Sequence, residues 1–330
     1  MNDAMRPATV ELLARFREVR RPLGVLPEMD RRLLGLLAEI EHEAEPEAVL
    51  WLWPAMEGRS RAVRRRALAV MTSLVNKATS TQVLEILESL LARSCGPDYD
   101  RWRRFSAADV VVLQQELPHA VGLLVLLTVH SSGWVRELAL RALIGRTDRC
   151  ILPVLRDRLN DWVPQVREQA GKVFSAFLQP EHAQLLVEVL PLFVVLDRRG
   201  RADHSPTQAA IRRVLLLPKS RSALRNELSS PSREIRCFCF ELLIAAEGPN
   251  DALITAGLAA REPAIRAMAS RAVLQIPVEH PIDGHLAAML ASGDRPLRQV
   301  ALEVLAARQG VRAVPTFVSH LFDRSPTLRE

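Results

Sequence analysis

The stretch VRELALRAL, residues 135–143, decides the fold because its pattern returns five more times along the chain. With Val135 counted as position 0, apolar or small residues stand at positions 0, 3, 4, 7 and 8, which together form one face of an α-helix. An arginine occupies position 1 in every copy, at residues 64, 136, 167, 236, 266 and 298. Adjacent copies are about 31 residues apart, and the two larger gaps each leave room for one degenerate copy.

Two features of the repeated helix predict how it packs. Position 4 is small in every copy, which lets a neighbouring helix approach closely; the residues are Ala67, Ala139, Ala170, Cys239, Ala269 and Ala301. A second apolar segment precedes most copies, so the repeating unit is a helix A, a short turn and a helix B. Neither helix can bury its apolar face alone, and such units stack side by side. Because the position-1 arginine recurs wherever this helix packs, we predict a structural role for it.

The copy DWVPQVREQA, residues 161–170, places an aspartate ahead of V-R-x-x-A, and this pattern resembles the HEAT family. The closest resemblance is to the short-period, PBS-lyase-type HEAT-like repeats of bacterial type, over about residues 46–330. It implies an all-α fold, a right-handed α-solenoid of about nine to ten helical hairpins with the B helices on its concave side. Residues 1–45 are predicted to form N-terminal capping helices. The family aspartate is present only as Asp161 and Asp323, so an unbroken Asp–Arg ladder is not expected.

Two insertions, at residues 94–105 and 198–206, interrupt the repeats. Intact apolar helices flank both, so we interpret each as an enlarged A–B turn and expect the two to share one edge of the solenoid. Arginine beside aromatic residues suits contact with phosphate, with bases or with an acidic peptide. The candidate binding residues are Arg61, Arg65, Tyr99, Arg101, Trp102, Arg103, Arg104, Arg198, Arg199 and Arg201. The alternative is that Trp102 and Phe105 cover the helix pair while the arginines are merely solvated.

Composition bounds the function classes. The chain of 330 residues has a formal net charge of +6, and only three of its 44 basic residues are lysines. A basic balance permits acidic partners, protein or nucleic acid, but the excess of arginine over lysine is also typical of a GC-rich coding background. The four cysteines lack metal-ligand spacing, so we expect a reducing cytoplasm, no metal and no cofactor. The apolar stretch at 185–196 is too short for a membrane span and is predicted to be a buried helix, and the first residues show no signal peptide.

No nucleotide-binding, metalloprotease or hydrolase motif is present in the sequence. His280 and His285 are predicted to lie on the surface of a connecting loop, and Trp134 and Trp162 to pack between turns. HEAT-like alkylpurine DNA glycosylases combine a basic face, aromatic residues and a catalytic aspartate, and here only Trp134, Trp162, Asp161 and Asp109 could correspond to these. Two hypotheses follow. The chain is a non-catalytic scaffold that binds a protein through its concave face and a basic A–B edge, or it is a nucleic-acid-binding solenoid.

The repeat period also bears on the C-terminal end. One further period after Arg298 leads to Arg329, preceded by Asp323 and Pro326 as in the other copies. Residues 312–322 have the pattern of a helix A whose hairpin partner would begin where the given sequence stops. The period therefore predicts a fragment of a longer repeat protein, or completion of this end by another subunit.

Overall fold

The structure is a computed structural model of the chain, and it describes residues 5–20, 27–52, 60–92, 105–116, 120–194, 202–323 and 325. Within these residues every regular element is an α-helix or a 3-10 helix, and no strand occurs. The predicted all-α class is confirmed for this part of the chain. The chain divides into two compact units, Met1–Leu178 with Leu192–Pro206, and Gln179–Pro191 with Thr207–Glu330.

The helices follow the predicted order of A and B segments. In the first unit they are α1 (Pro7–Arg20), α2 (Pro27–Glu43), α3 (Arg61–Lys77), α4 (Ser80–Ala92), α5 (Ala107–Glu116), α6 (Val121–Leu127), α7 (Gly133–Leu143), α8 (Leu152–Leu159) and α9 (Pro164–Ser175). Helix α10 (Ala183–Val194) and helix α11 (Ser205–Leu215) cross the boundary between the units. The second unit continues with α12 (Arg221–Asn226), α13 (Arg233–Glu247), α14 (Asp251–Leu258), α15 (Pro263–Val273), α16 (Asp283–Ala291), α17 (Arg295–Gln309) and α18 (Val314–His320). Short 3-10 segments precede several helices, among them Pro46–Trp51 before α3 and Arg149–Ile151 before α8.

The repeated helix buries the face that its sequence predicts. All six position-4 residues are completely inaccessible to solvent, and all six position-0 residues are buried. A small side chain here lets the next helix approach closely, and the burial of a β-branched or leucine side chain beside it contributes about 1.5–3 kcal/mol. The core of the second unit is built this way around Ile254, Val273, Met289, Ala301 and Leu305.

The position-1 arginines tie each B helix to its own A–B turn. In five copies the guanidinium Nη1 donates to the carbonyl oxygen six residues earlier, at His130, Asp161, Ser230, Ala260 and Ser292. Turn carbonyls left without a partner inside a protein are costly, and the guanidinium, with five donors, satisfies them. The predicted structural role of these arginines is confirmed.

The same arginines also reach a carboxylate in the next repeat, which the sequence pattern did not predict in full. Arg136 pairs with Asp161 and Arg298 with Asp323, through the two family aspartates. In two further copies the partner is an acidic residue at the N-cap position of the next B helix, so that Arg236 pairs with Glu262 and Arg266 with Asp294. The second unit therefore has three consecutive arginine–carboxylate pairs between repeats, which we call rungs, and two of them use acidic residues outside the family pattern.

The ion pair between Arg298 and Asp323 is expected to make the stability of the fold depend on pH. Hydrogen bonds from Arg298 lower the pKa of Asp323 from 3.8 to about 2. A carboxylate with a depressed pKa stabilises the fold fully above the unfolded value of 3.8, and this contribution disappears as the pH falls through about 2. We expect the melting temperature of D323N to lie below that of the parent chain at pH 6 and to converge with it between pH 3.8 and 2. Thermal unfolding across this range checks it, and a difference that stays constant down to pH 2 would contradict it.

Helix α6 shows where the first unit departs from a plain series of hairpins. All seven of its residues, VGLLVLL, are buried, as expected for a helix that is apolar on every side. It packs against α3 and α7. At Gly122 a Cβ atom would lie 2.6 Å from the carbonyl oxygen of Thr72 and 2.9 Å from its Cα. Helix α6 therefore occupies the interior of the unit, and a glycine is required at its closest approach to α3.

The helices that flank the first insertion are present, but they have different neighbours. Helix α4 packs against Pro46–Trp51 and α8, whereas α5 packs against α7. Of the insertion at 94–105 only Phe105 is described, and of the insertion at 198–206 only residues 202–206. Among the latter, His204 is buried, with its Nε2 3.3 Å from Oδ1 of Asn160. The shared edge for the two insertions lies outside the described residues and stays a prediction.

Candidate functional site

The predicted binding arginines are only partly within the described residues. Arg61 and Arg65 are exposed in the first turns of α3, which begins after the N-cap Ser60. Tyr99, Arg101, Trp102, Arg103, Arg104, Arg198, Arg199 and Arg201 lie outside the described residues. The candidate site is therefore built from the first unit, at the end where its B helices begin.

Two tryptophans occupy this end, and the prediction that they pack between turns is wrong. Trp134 is 73% exposed and Trp162 is 68% exposed. Both stand where a B helix starts, Trp134 in the first turn of α7 and Trp162 two residues before α9. Large apolar side chains are normally removed from water, so an exposed pair on successive turns marks a surface that something else can cover.

The two turns that carry the tryptophans contact each other. A Cβ at Gly133 would lie 3.3 Å from Cγ2 of Val163, which places the start of α7 against the turn before α9. The guanidinium of Arg136 lies over the ring of Trp162, 5.6 Å from its centroid. This cation–π contact orients the Trp162 ring although most of its surface is exposed.

Asp161 holds this pair of turns together. Its carboxylate accepts from Nε and Nη2 of Arg136 at 3.0 and 2.9 Å, from Nη1 of Arg158 at 2.7 Å and from the backbone N–H of Val163 at 3.0 Å. The side chains of Asp161 and Arg136 are 2% and 4% exposed. Burial lowers the pKa of Arg158, and the charge of Asp161 opposes this shift. Four donors engage this carboxylate, which leaves it poorly suited to act as a catalytic base.

The second aspartate considered for catalysis is also engaged in local structure. Asp109 accepts from the backbone N–H and the hydroxyl of Ser106 at 2.8 and 2.7 Å, and Ser106 Oγ accepts from the Asp109 N–H at 3.3 Å. This reciprocal arrangement caps the N-terminus of α5. Burial raises the pKa of the thiols of Cys150 and Cys239 to about 12, so neither is a thiolate nucleophile at neutral pH.

Arg167 contributes a positive charge beside Trp162. Its Nη1 donates to the carbonyl of Asp161 at 2.7 Å. Among the described residues no carboxylate pairs with Arg167. Arg136 and the position-1 arginines of the second unit each have such a partner. A guanidinium in this position has donors left for a carboxylate or phosphate from outside.

Arg61 and Arg65 occupy the same place in their repeat as the tryptophans, at the start of a B helix. The starts of α3, α7 and α9 are corresponding positions of the repeat, and a surface shared by these side chains is predicted from that correspondence alone. We call the surface predicted for Arg61, Arg65, Trp134, Trp162 and Arg167 the A–B edge.

Sequence reasoning selected the arginines as binding residues and predicted that the two tryptophans pack between turns. One signal in the sequence could have indicated their exposure: both tryptophans precede a B helix whose buried face is already complete without them. In the part of the chain that the structure describes, no helix is long and apolar enough to cross a membrane. Nor does any group of three or more His, Cys, Asp or Glu residues among the described ranges come together as a metal site.

No protein-family model matches the chain, and no curated protein matches it. Three of the solved structures that resemble it are two engineered proteins and a designed armadillo repeat protein. One engineered protein from a structural genomics consortium has 15% identity and a TM-score of 0.29, with 100% of this chain and 97% of that chain covered. A second has 16% identity and a TM-score of 0.23 over 80% and 96%. A designed armadillo repeat protein has 15% identity and a TM-score of 0.22 over 90% and 100%.

Proposed function

We propose that this chain is a non-catalytic helical-repeat scaffold that binds a partner protein through the A–B edge. The observation that carries the proposal is the pair of exposed tryptophans on two touching turns, held in place by the buried Arg136–Asp161 pair. Tryptophan and arginine are the residues most often found at the energetic centre of protein interfaces. A rigid support reduces the entropy lost on binding.

The charge of the edge favours an acidic partner surface. Arg61, Arg65 and Arg167 add positive charge around the tryptophans, and the whole chain carries a net charge of +6. Arginine forks pair with carboxylates through two parallel hydrogen bonds, and the tryptophan rings supply apolar area between them. In the proposed arrangement the insertion arginines at 101, 103, 104, 198, 199 and 201 extend this edge.

The superhelical form is part of the same proposal. Four of the position-1 arginines pair with carboxylates of the next repeat, and such stacking of hairpins supports a right-handed solenoid of nine to ten HEAT-like units. In this proposal the B helices line a concave face that is available to the partner. The proposal also includes a cytoplasmic location, a partner subunit that docks at the C-terminal end, and no cofactor.

Nucleic acid is the second candidate partner, since exposed tryptophan beside arginine is also an arrangement that stacks bases of a single strand. Glycosylase chemistry has less support because Asp161 and Asp109 are both engaged in hydrogen bonds within the fold. Phosphate contacts release counterions, so nucleic-acid binding would weaken steeply with salt.

The test compares the parent chain with W134A/W162A as baits in native cytoplasmic extract, with and without nuclease. We expect a protein partner that survives nuclease and whose recovery falls at least tenfold with the double variant, as hot-spot truncation requires. The melting temperature should not fall, because both side chains are mostly exposed. V278A, which truncates an equally exposed side chain of the second unit, is the matched control and should retain the partner. Equal recovery by W134A/W162A, or loss of the partner on nuclease treatment, would overturn the proposal.

A further inference from the structure

Four of the position-1 arginines divide their guanidinium nitrogens in the same way. Nη1 donates to the carbonyl oxygen six residues earlier, while Nε and Nη2 face a carboxylate at the A–B turn of the next repeat. The pairs are Arg136 with Asp161, Arg236 with Glu262, Arg266 with Asp294, and Arg298 with Asp323. In the first and last pairs the nitrogen–oxygen distances to the carboxylate are 2.8–3.0 Å. The fold therefore contains four examples of one carboxylate-binding arrangement.

Arg167 has the first half of this arrangement. Its Nη1 lies 2.7 Å from the carbonyl oxygen of Asp161, six residues earlier, so this nitrogen is engaged as in the other copies. Its Nε and Nη2 have no partner in the part of the chain that the structure describes. The side chain is half-buried. The planar edge that Nε and Nη2 form has the geometry to take both oxygens of a carboxylate through two parallel hydrogen bonds.

The insertion at 198–206 accounts for the difference. The A–B turn that would supply the carboxylate to Arg167 is the turn that this insertion enlarges. The described end of the insertion contacts the preceding A–B turn, because the buried His204 lies 3.3 Å from Oδ1 of Asn160. Asp203 stands directly before His204, but its Oδ1 accepts from the backbone N–H two residues later, at the start of α11. This carboxylate is therefore used within its own turn.

The surroundings of Arg167 favour a carboxylate from a protein. Three arginines contact Asp161, with Arg136 and Arg158 on its side chain and Arg167 on its carbonyl oxygen, so positive charge is in excess at this turn. Trp162 follows Asp161 directly and offers an apolar surface that is 68% exposed. A phosphate of nucleic acid would match the two parallel donors. A carboxylate matches these donors and also reproduces the four arginine–carboxylate pairs that the fold already contains.

We propose that Arg167 binds an aspartate or glutamate side chain of the partner protein. The two carboxylate oxygens accept from Nε and Nη2, as they do at the other four arginines, and the adjacent residues of the partner cover the ring of Trp162. This inference rests on the proposed function, because Arg167 belongs to the A–B edge. It adds the chemistry of the contact: an acidic turn of the partner continues the series of arginine–carboxylate pairs across the interface.

Peptides copied from this chain test the choice of ligand. The acetylated and amidated peptide SGDRP reproduces residues 292–296, whose Asp294 pairs with Arg266. It carries no net charge, so attraction to a basic protein alone cannot explain its binding. The matched peptide SGNRP lacks only the carboxylate. Each is titrated into the full chain, and binding is followed in NMR spectra through the Nε–H resonance of Arg167 and the indole N–H resonance of Trp162.

We expect SGDRP to bind saturably with a dissociation constant in the millimolar range, at least tenfold more tightly than SGNRP. Equal affinity for the two peptides, or no shift of either resonance by SGDRP up to about 20 mM, would overturn the proposal. A thymidine oligonucleotide that shifts both resonances when SGDRP does not would assign the position to nucleic acid instead, and this result would overturn it as well.

Variants of the chain locate the binding. R167K keeps the positive charge but loses the planar edge, and it should weaken SGDRP binding at least tenfold, as measured at Trp162. R32Q removes an exposed arginine from α2 and is the matched control, with an expected change of less than twofold. Unchanged SGDRP binding by a folded R167K chain, checked by its melting temperature, would contradict the proposal.

Two further variants ask whether a carboxylate of the chain itself competes for Arg167. D203N, and D197N at a position outside the described residues, should each change the affinity for SGDRP less than twofold. A tenfold gain with either variant would show that Arg167 is already paired within the chain, which would overturn the proposal.

This inference and the proposed function can fail separately. If W134A/W162A retains the extract partner while SGDRP still binds at Arg167, the role of the tryptophans is wrong and the carboxylate site stands. If R167K recovers the extract partner as well as the parent chain does, the role of Arg167 is wrong and the tryptophan surface stands.

Discussion

D161N is expected to destabilise the first unit by about 3–5 kcal/mol, the cost of removing one partner from a buried ion pair. The substitution keeps the shape of the side chain and removes its charge, which leaves Arg136 and Arg158 without a counter-charge in a site from which water is largely excluded. It also weakens the support of both exposed tryptophans. Urea unfolding, with hydrogen exchange resolved along the chain, measures the loss in the first unit.

The matched control for D161N is an exposed pair in the same unit. Glu168 pairs with Lys172 one turn apart on α9, and both side chains are more than half exposed. E168Q should leave the unfolding midpoint unchanged, because exposed pairs of this kind contribute little. The double variant R136Q/D161N should be less destabilised than the sum of its single variants, since the two charges form one unit. A D161N chain as stable as E168Q would refute the role assigned to this pair.

G122A is expected to destabilise the first unit by about 1–3 kcal/mol, toward the upper end of this range. The added methyl group would lie 2.6 Å from the carbonyl oxygen of Thr72 and 2.9 Å from Cβ of Val75. Backbone atoms cannot rotate away as a flexible side chain does, so α6 has to move from α3. Hydrogen exchange in α3 and α6 should accelerate together, and thermal unfolding should begin at a lower temperature.

G171A in helix α9 makes the same chemical change as G122A but is expected to have the opposite effect on stability. An added Cβ at Gly171 meets nothing within 4 Å. Alanine in the interior of a helix is about 0.5–1 kcal/mol more favourable than glycine, so G171A should stabilise the unit. If G122A and G171A shifted stability in the same direction, the close approach of α6 to α3 would be disproved.

Several apolar side chains near the end of the described residues are exposed. Val314 and Val318 are half exposed on α18, and Phe322 is 86% exposed just after it. The expected helix at 312–322 is present as Gly310–Ala313 and Val314–His320. Completion of this end by a following repeat or by another subunit stays a prediction.

The sequence by itself determined the local structure of the repeat. A spacing of 3.6 residues places positions 0, 4 and 8 on one helical face, and the free-energy gain of burying that face makes it the interior. The complete burial of Ala139 and Ala269 follows from this pattern alone. The position-1 arginine is likewise a local feature, because the carbonyl it binds lies six residues earlier in the same hairpin.

Only the tertiary structure decided which residues meet between repeats. Glu262 and Asp294 form rungs from a position four residues before the next arginine, whereas Asp161 and Asp323 precede theirs by six. Both positions lie at the A–B turn, and a flexible guanidinium reaches either, so the strict family pattern underestimates the ladder. Contacts between distant parts of the chain also decide that His285 is buried instead of lying on the surface as predicted, that Trp134 and Trp162 are exposed and that α6 lies in the interior of the first unit. Burial of a side chain outside the periodic face depends on which helix lies against it, and that contact is set by residues distant in the sequence.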